Sequence, residues 1–139
     1  MRDITFCHPR LQHLAGQLIE ECGRQGLSIK IGETFRTVAE QDALFAQGRT
    51  KPGNIVTNAP GSNYSSYHQW GTAFDIYRND GAGAYNESAL FFQRVGAIGM
   101  PLGLEWGGNW KSIMDNPHFQ LPDWGSSTSG IKKVYSTPE

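Results

Sequence analysis

Two histidines and two aspartates have the types and spacing to do chemistry. His68 and Asp75 lie in "SSYHQWGTAFDIYR", and Asp115 and His118 lie in "DNPHFQL". Two imidazoles and one carboxylate make a zinc-type donor set, and three protein ligands leave a fourth position for water. His68, Asp75 and His118 would be the three donors. A water activated in that way needs a base within hydrogen-bond reach. Asp115, three residues before His118, can be held there by the turn that Asn116 and Pro117 form. The spacing alone also admits a plainer reading: a His-x6-Asp pair arises by chance, and an aspartate in "DNP" often satisfies the backbone donors of a turn.

These residues need elements that bring positions 68, 75 and 118 to one point. "TAFDIY" alternates as a strand and "HFQL" as a short one, so His68 and Asp75 are expected on strands flanking a turn, with His118 on an adjacent strand. Upstream, "HPRLQHLAGQLIEECGRQG" has helical periodicity and stops at Gly26; its His8 and His13 have polar neighbours and are expected at the surface. "LSIKIGETFR" has strand character ending near Arg36. Thr37 and Glu40 then have capping-box spacing for a helix that Gly48 closes. Residues 49–67 form a long loop rich in Gly, Pro, Asn and Ser. "NESALFFQRVGAIGM" is expected as a helix capped by Asn86. The fold class is α+β, a small antiparallel sheet with helices packed mainly on one side. Residues 1–121 are expected to form the catalytic domain and 122–139 a C-terminal tail or linker.

Composition narrows the classes of function. The chain has 139 residues, is 38% hydrophobic and carries four tryptophans, as a single folded domain does. A net charge of -1 with scattered basic residues gives no footprint for nucleic acid or an anionic membrane. No apolar run approaches a membrane span, and none near Met1 has the character of a signal peptide. The expectation is synthesis in the cytoplasm, as a monomer, with delivery by something other than its own signal. Cys7 and Cys22 flank one helix, too far apart to bridge, and are expected as free thiols.

"SSYHQWGTAFD" resembles the Ser-x-His-x-x-Gly-x-Ala-x-Asp signature of the zinc peptidases that include D-alanyl-D-alanine carboxypeptidases and dipeptidases. Ser66, His68, Gly71, Ala73 and Asp75 fill its positions. "EWGGNWKSIMDNPHFQL" and "TFRTVAEQDALFAQGRTKPGNIVTNAPG" are similar to two further blocks of one branch, the L-alanyl-D-glutamate endopeptidases found among bacteriophage endolysins. The likeness runs from about Ile29 to Leu121, with the blocks in order. It implies the peptidase fold of that family and one Zn2+ held by His68, Asp75 and His118. It makes Asp115 the general base; were Asp115 dispensable for cleavage, Glu105 would be the next carboxylate to examine. Arg36 matches an arginine of the family's substrate site, and Gln41 and Ser66 match substrate-binding positions beside it. Without the likeness, a surface salt bridge would explain Arg36 equally well. The spelling departs from the family at Glu33, Thr34 and Phe35, none of them an implied ligand.

The implied activity is hydrolysis of the L-Ala-D-Glu bond in the stem peptide of bacterial peptidoglycan, after phage or prophage release onto the wall. A D-alanyl-D-alanine carboxypeptidase would use the same zinc site, and a zinc-stabilised wall-binding module without turnover would keep the metal but need no base. Trp70, Trp106 and Trp110 could line the cleft, with a core role expected for at least two of them. The glycines of "WGG" are expected to permit the turn that brings the second block to the metal.

Overall fold

A computed structural model describes residues 1–111, 114–124 and 127–135 of the chain. Helix α1 (Pro9–Arg24) has His8 as its N-cap, with Nδ1 accepting from the Arg10 N–H, and buries Leu11, Leu14, Ala15, Leu18 and Cys22 along one stripe. Strand β1 (Ile29–Ile31) follows, then α2 (Val38–Ala46), which starts on the Thr37/Glu40 capping box. A 3-10 turn at Tyr67–Trp70 leads into β2 (Ala73–Arg78). Helix α3 (Phe91–Gly99), the two-residue β3 (Glu105–Trp106) and β4 (His118–Gln120) complete the site-bearing part. The four strands form an antiparallel sheet in the order β1-β2-β4-β3. The expected α+β class is what the chain adopts.

Strand periodicity gives the sheet two different faces. Phe74 and Ile76 of β2, Phe119 of β4 and Trp106 of β3 point into the core with the apolar stripe of α1 and with Phe91, Phe92 and Val95 of α3. Phe74 and Phe119 are register partners, with rings stacked at 5.8 Å. The alternate residues Asp75, His118, Gln120 and Glu105 face the other way. A one-residue slip would exchange the faces, and burial of each large apolar side chain is worth about 1.5–3 kcal/mol. Four such side chains outweigh any single polar contact, worth about 1 kcal/mol, so the core fixes where the polar residues stand. Gly99 lets α3 lie close over β4; a Cβ there would come within 2.6 Å of the Phe119 ring.

Several local expectations need correction. Strand β1 ends at Ile31 rather than near Arg36, although Gly32 N–H and Glu33 O still bond to Asp75 at 2.7 and 2.8 Å. Two residues there oppose one, so the ladder bulges beside Asp75. Asn86 caps no helix: its Oδ1 accepts from the Ser88 N–H, Glu87 is the N-cap of a 3-10 turn at Ser88–Leu90, and α3 starts only at Phe91, because Ala89 and Leu90 have left-handed backbones. Strand β3 was not expected. Beyond Leu121, in the segment expected as a tail or linker, a 3-10 turn at Pro122–Trp124 precedes α4 (Ser129–Tyr135). There Ile131 is buried and Ser127 O accepts a bond from the Tyr67 hydroxyl. Cys7 and Cys22 are free and buried, as expected.

Candidate active site

His118 and Asp75 are register partners on β4 and β2, so the antiparallel ladder sets them side by side on the face away from the core. His68 comes from the Tyr67–Trp70 turn rather than from a strand. That turn ends at Gly71, whose left-handed φ of +68° lets the chain enter β2 at once. The three side chains converge: His68 Nε2 and His118 Nδ1 each lie 3.3 Å from Asp75 Oδ1. One ligand atom from each residue falls within 4.8 Å of the other two. Both histidines are buried and Asp75 is nearly so.

Hydrogen bonds on the far side of each ring fix which nitrogen faces inward. His68 Nδ1 is 2.8 Å from the Thr34 carbonyl, an acceptor only, so this nitrogen carries the proton and Nε2 presents a lone pair. His118 Nε2 is 2.7 Å from Gln120 Oε1, which likewise leaves the lone pair on Nδ1. Two lone pairs and a carboxylate oxygen therefore meet with no hydrogen between them. Asp75 Oδ1 is buried and has no hydrogen-bond partner among the described residues. A metal ion at that point would satisfy all three atoms at once. Tetrahedral donors about 2.0–2.1 Å from one zinc stand roughly 3.3–3.4 Å apart, the spacing that both histidines keep from Asp75. The residues fit the metal.

The field of the cluster favours positive charge, whether a proton on an imidazole or a metal ion. Burial pushes the Asp75 carboxyl up, but the two imidazoles outweigh it and hold the group well below the usual carboxylate range. Burial likewise pushes His118 down, while Asp75 and Asp115 together raise it above the usual imidazole value.

Asp115 stands beside this group and outside it. Its Oδ2 is 3.9 Å from His118 Nδ1, and the side chain is 44% exposed, against 20% for Asp75. Burial and the Asp75 charge raise its carboxyl above the usual range, and the two histidines and Arg36 temper that rise. Its backbone is clamped: Asp115 N–H donates to Gly107 O at 3.0 Å, and Asp115 O accepts from His118 N–H. A Cβ at Gly107 would collide with that carbonyl, so the first glycine of "WGG" is required for close approach of the second block.

Arg36 is buried, 8% exposed, and among the described residues it makes no ion pair, so the surface salt bridge is not its role. Nη1 donates to Gln41 Oε1 at 2.8 Å, its N–H bonds to His68 O, and Nε has no partner. Gln41 is fully buried and its amide also donates to Ala59 O in the long loop, so it bears on the site through Arg36. Ser66 is the N-cap of the turn that carries His68, with the Gln69 side chain reaching back to its N–H. Of the tryptophans only Trp106 is in the core, a correction to the expectation of at least two. Trp70 is half-buried against Tyr64, and Trp110 lies against His118 with ring centroids 4.8 Å apart. Gln120 escaped the sequence reading, although strand alternation in "HFQ" puts it on the face of His118. The Thr34 carbonyl left no sequence signal, since any residue carries one.

The sequence model of the D-alanyl-D-alanine carboxypeptidase family matches residues 60–121, the stretch holding His68, Asp75 and His118. The peptidoglycan L-alanyl-D-glutamate endopeptidase CwlK of Bacillus subtilis (strain 168) is 39% identical over 124 residues, covering 82% of this chain and 72% of its own. The chain belongs to the M15 metallopeptidase family. An L-alanyl-D-glutamate peptidase of Listeria phage A118 is 31% identical to this M15 chain over 127 residues, 88% of it and 41% of the phage protein. Among solved structures, the vancomycin-resistance D,D-pentapeptidase VanY (E175A mutant, VanB-type cassette), in complex with Zn(II), superposes with a TM-score of 0.61. That match is at 17% identity, over 83% of the M15 chain and 72% of VanY, a likeness of fold. No helix among the described residues is long and apolar enough to cross a membrane.

Metal removal follows from the donor set. We expect one zinc per chain in purified protein and near-complete loss of it in His68→Ala, by metal analysis after dialysis. The wild type should also melt higher with zinc than without, because an ion bound only by the folded state stabilises that state. Undiminished zinc in His68→Ala would exclude this residue as a ligand.

Proposed function

We propose that this M15 chain is a zinc-dependent peptidoglycan endopeptidase that hydrolyses the L-Ala-D-Glu bond of the stem peptide. The observation that carries the metal chemistry is the convergence of two imidazole lone pairs on the unpartnered Asp75 Oδ1. The choice of bond rests on the 39% identity to the Bacillus endopeptidase across most of both chains. Zinc, when bound by His68, Asp75 and His118, supplies Lewis-acid chemistry, polarising a carbonyl and acidifying a water.

The other steps belong to side chains. Asp115 accepts the proton of the attacking water at its carboxylate and passes it to the departing amine, and its raised pKa suits it to both directions of transfer. Arg36 pairs with a free carboxylate of the stem peptide or with the oxyanion that develops at the scissile carbonyl. Gln41 holds the guanidinium in place. Ser66 contributes through the turn it caps. The phage relative supports a phage or prophage setting, with action on the wall after release.

Mass analysis of peptidoglycan digested by the purified protein tests the reading. The expected products are stem fragments that begin at D-Glu. Release of terminal alanine alone would replace the proposal with D-alanyl-D-alanine carboxypeptidase activity. Zinc binding with no product would leave a wall-binding module.

A further inference from the structure

His118 is held by more than its own strand. Gln120, two residues on and 1% exposed, accepts from His118 Nε2 through Oε1. Its amide nitrogen donates to Glu105 Oε2 at 3.1 Å across the β3–β4 ladder, where Glu105 and Gln120 are register partners. The same Glu105 oxygen accepts from Trp110 Nε1 at 3.2 Å, and the Trp110 ring lies against His118. One carboxylate oxygen thus anchors both the amide behind the histidine and the indole beside it.

A glutamine amide can turn over, and the two orientations have opposite effects on His118. With Oε1 toward the ring, Nε2 must carry the proton and Nδ1 keeps its lone pair. With the NH2 group toward the ring, Nε2 becomes the acceptor and Nδ1–H points at Asp75, closing the donor set with a hydrogen bond. Glu105 decides between them, since a carboxylate accepts only and draws the NH2 group to itself. We propose that Glu105 is a positioning residue that locks Gln120, and through it the His118 tautomer, in the metal-binding state. This rests on His118 being a zinc ligand, as proposed above. It also removes Glu105 from consideration as the base, because its inward oxygen is taken by two N–H groups.

Zinc-loaded protein and chelator competition test it. Orienting partners of metal-bound histidines are worth about 10–100-fold in metal affinity. Glu105→Leu should therefore bind zinc about 10–100-fold more weakly, measured on protein that is folded without the metal. Glu105→Gln keeps an acceptor oxygen in place and should recover most of the affinity. Wild-type affinity in Glu105→Leu would overturn the proposal. Nitrogen-15 NMR of the zinc-loaded wild type gives a test that needs no variant: His118 should bind through Nδ1 and carry its proton on Nε2, and the reverse would overturn the proposal even where Glu105→Leu does not fold. A wild type that binds no zinc would instead remove the metal reading beneath it.

Discussion

Asp115→Asn is expected to keep its fold and its zinc and to lose cleavage of wall peptide by about 10²–10⁴-fold, the range for removal of a general base. The substitution keeps the shape of the side chain and the two backbone bonds that clamp residue 115 to Gly107 and His118. It removes only the proton acceptor. Zinc should stay because the three donors are complete without it: Asp115 Oδ2 lies 3.9 Å from His118 Nδ1, beyond the 3.3 Å spacing that Asp75 keeps with both histidines. Asp115→Glu should be milder, since it retains a carboxylate displaced by one methylene. Metal analysis and steady-state cleavage of the same preparations separate the roles. Zinc lost from Asp115→Asn would make residue 115 a ligand, and wild-type turnover would place the base elsewhere.

Arg36→Ala is expected to fold, to bind zinc and to lose about 10²–10³-fold in activity, the usual effect of deleting one charge-stabilising donor. A guanidinium has five N–H donors, and here only Nη1 donates to another residue of the chain among the bonds described, to Gln41. Holding a cation 92% buried with Nε unpartnered is costly in the free protein. The arrangement makes sense as one awaiting an anion, either a substrate carboxylate or the developing oxyanion. Arg36→Lys should rescue little, because an ammonium lacks the planar fork. The backbone bond from residue 36 to His68 O survives either change, so zinc retention checks that the site is intact. Normal turnover in folded, zinc-loaded Arg36→Ala would sink the assignment.

Local chemistry was the part of the fold most legible in the sequence. The Thr37/Glu40 capping box, the apolar stripe of α1 and the alternation of β2 depend on residues a few positions apart, and each formed as expected. His68, Asp75 and His118 were legible through residue types and ordered blocks; strand register brings Asp75 to His118, and the turn before β2 brings His68. What the sequence withheld is set at a distance. Strand β3 is two residues long and exists because β4 is beside it. The left-handed backbones at Ala89 and Leu90 override the helical pattern that ran on from Asn86. Trp70 and Trp110 are as bulky as Trp106, and only the completed sheet determines which of the three is enclosed.

The pairing of Asp75 with His118 across β2 and β4 has a consequence for how the molecule comes apart. Two of the three proposed donors sit on central strands joined to each other, so unzipping that pair scatters the cluster. Opening the middle of the sheet therefore releases a held ion, while the ion can leave with the sheet still paired. A bound ion then acts as a latch on sub-global opening, and the backbone amides of β2 and β4 belong to the last unit to exchange with solvent. A protease, which must catch a chain already loosened, would find the peripheral loops long before it found this seam.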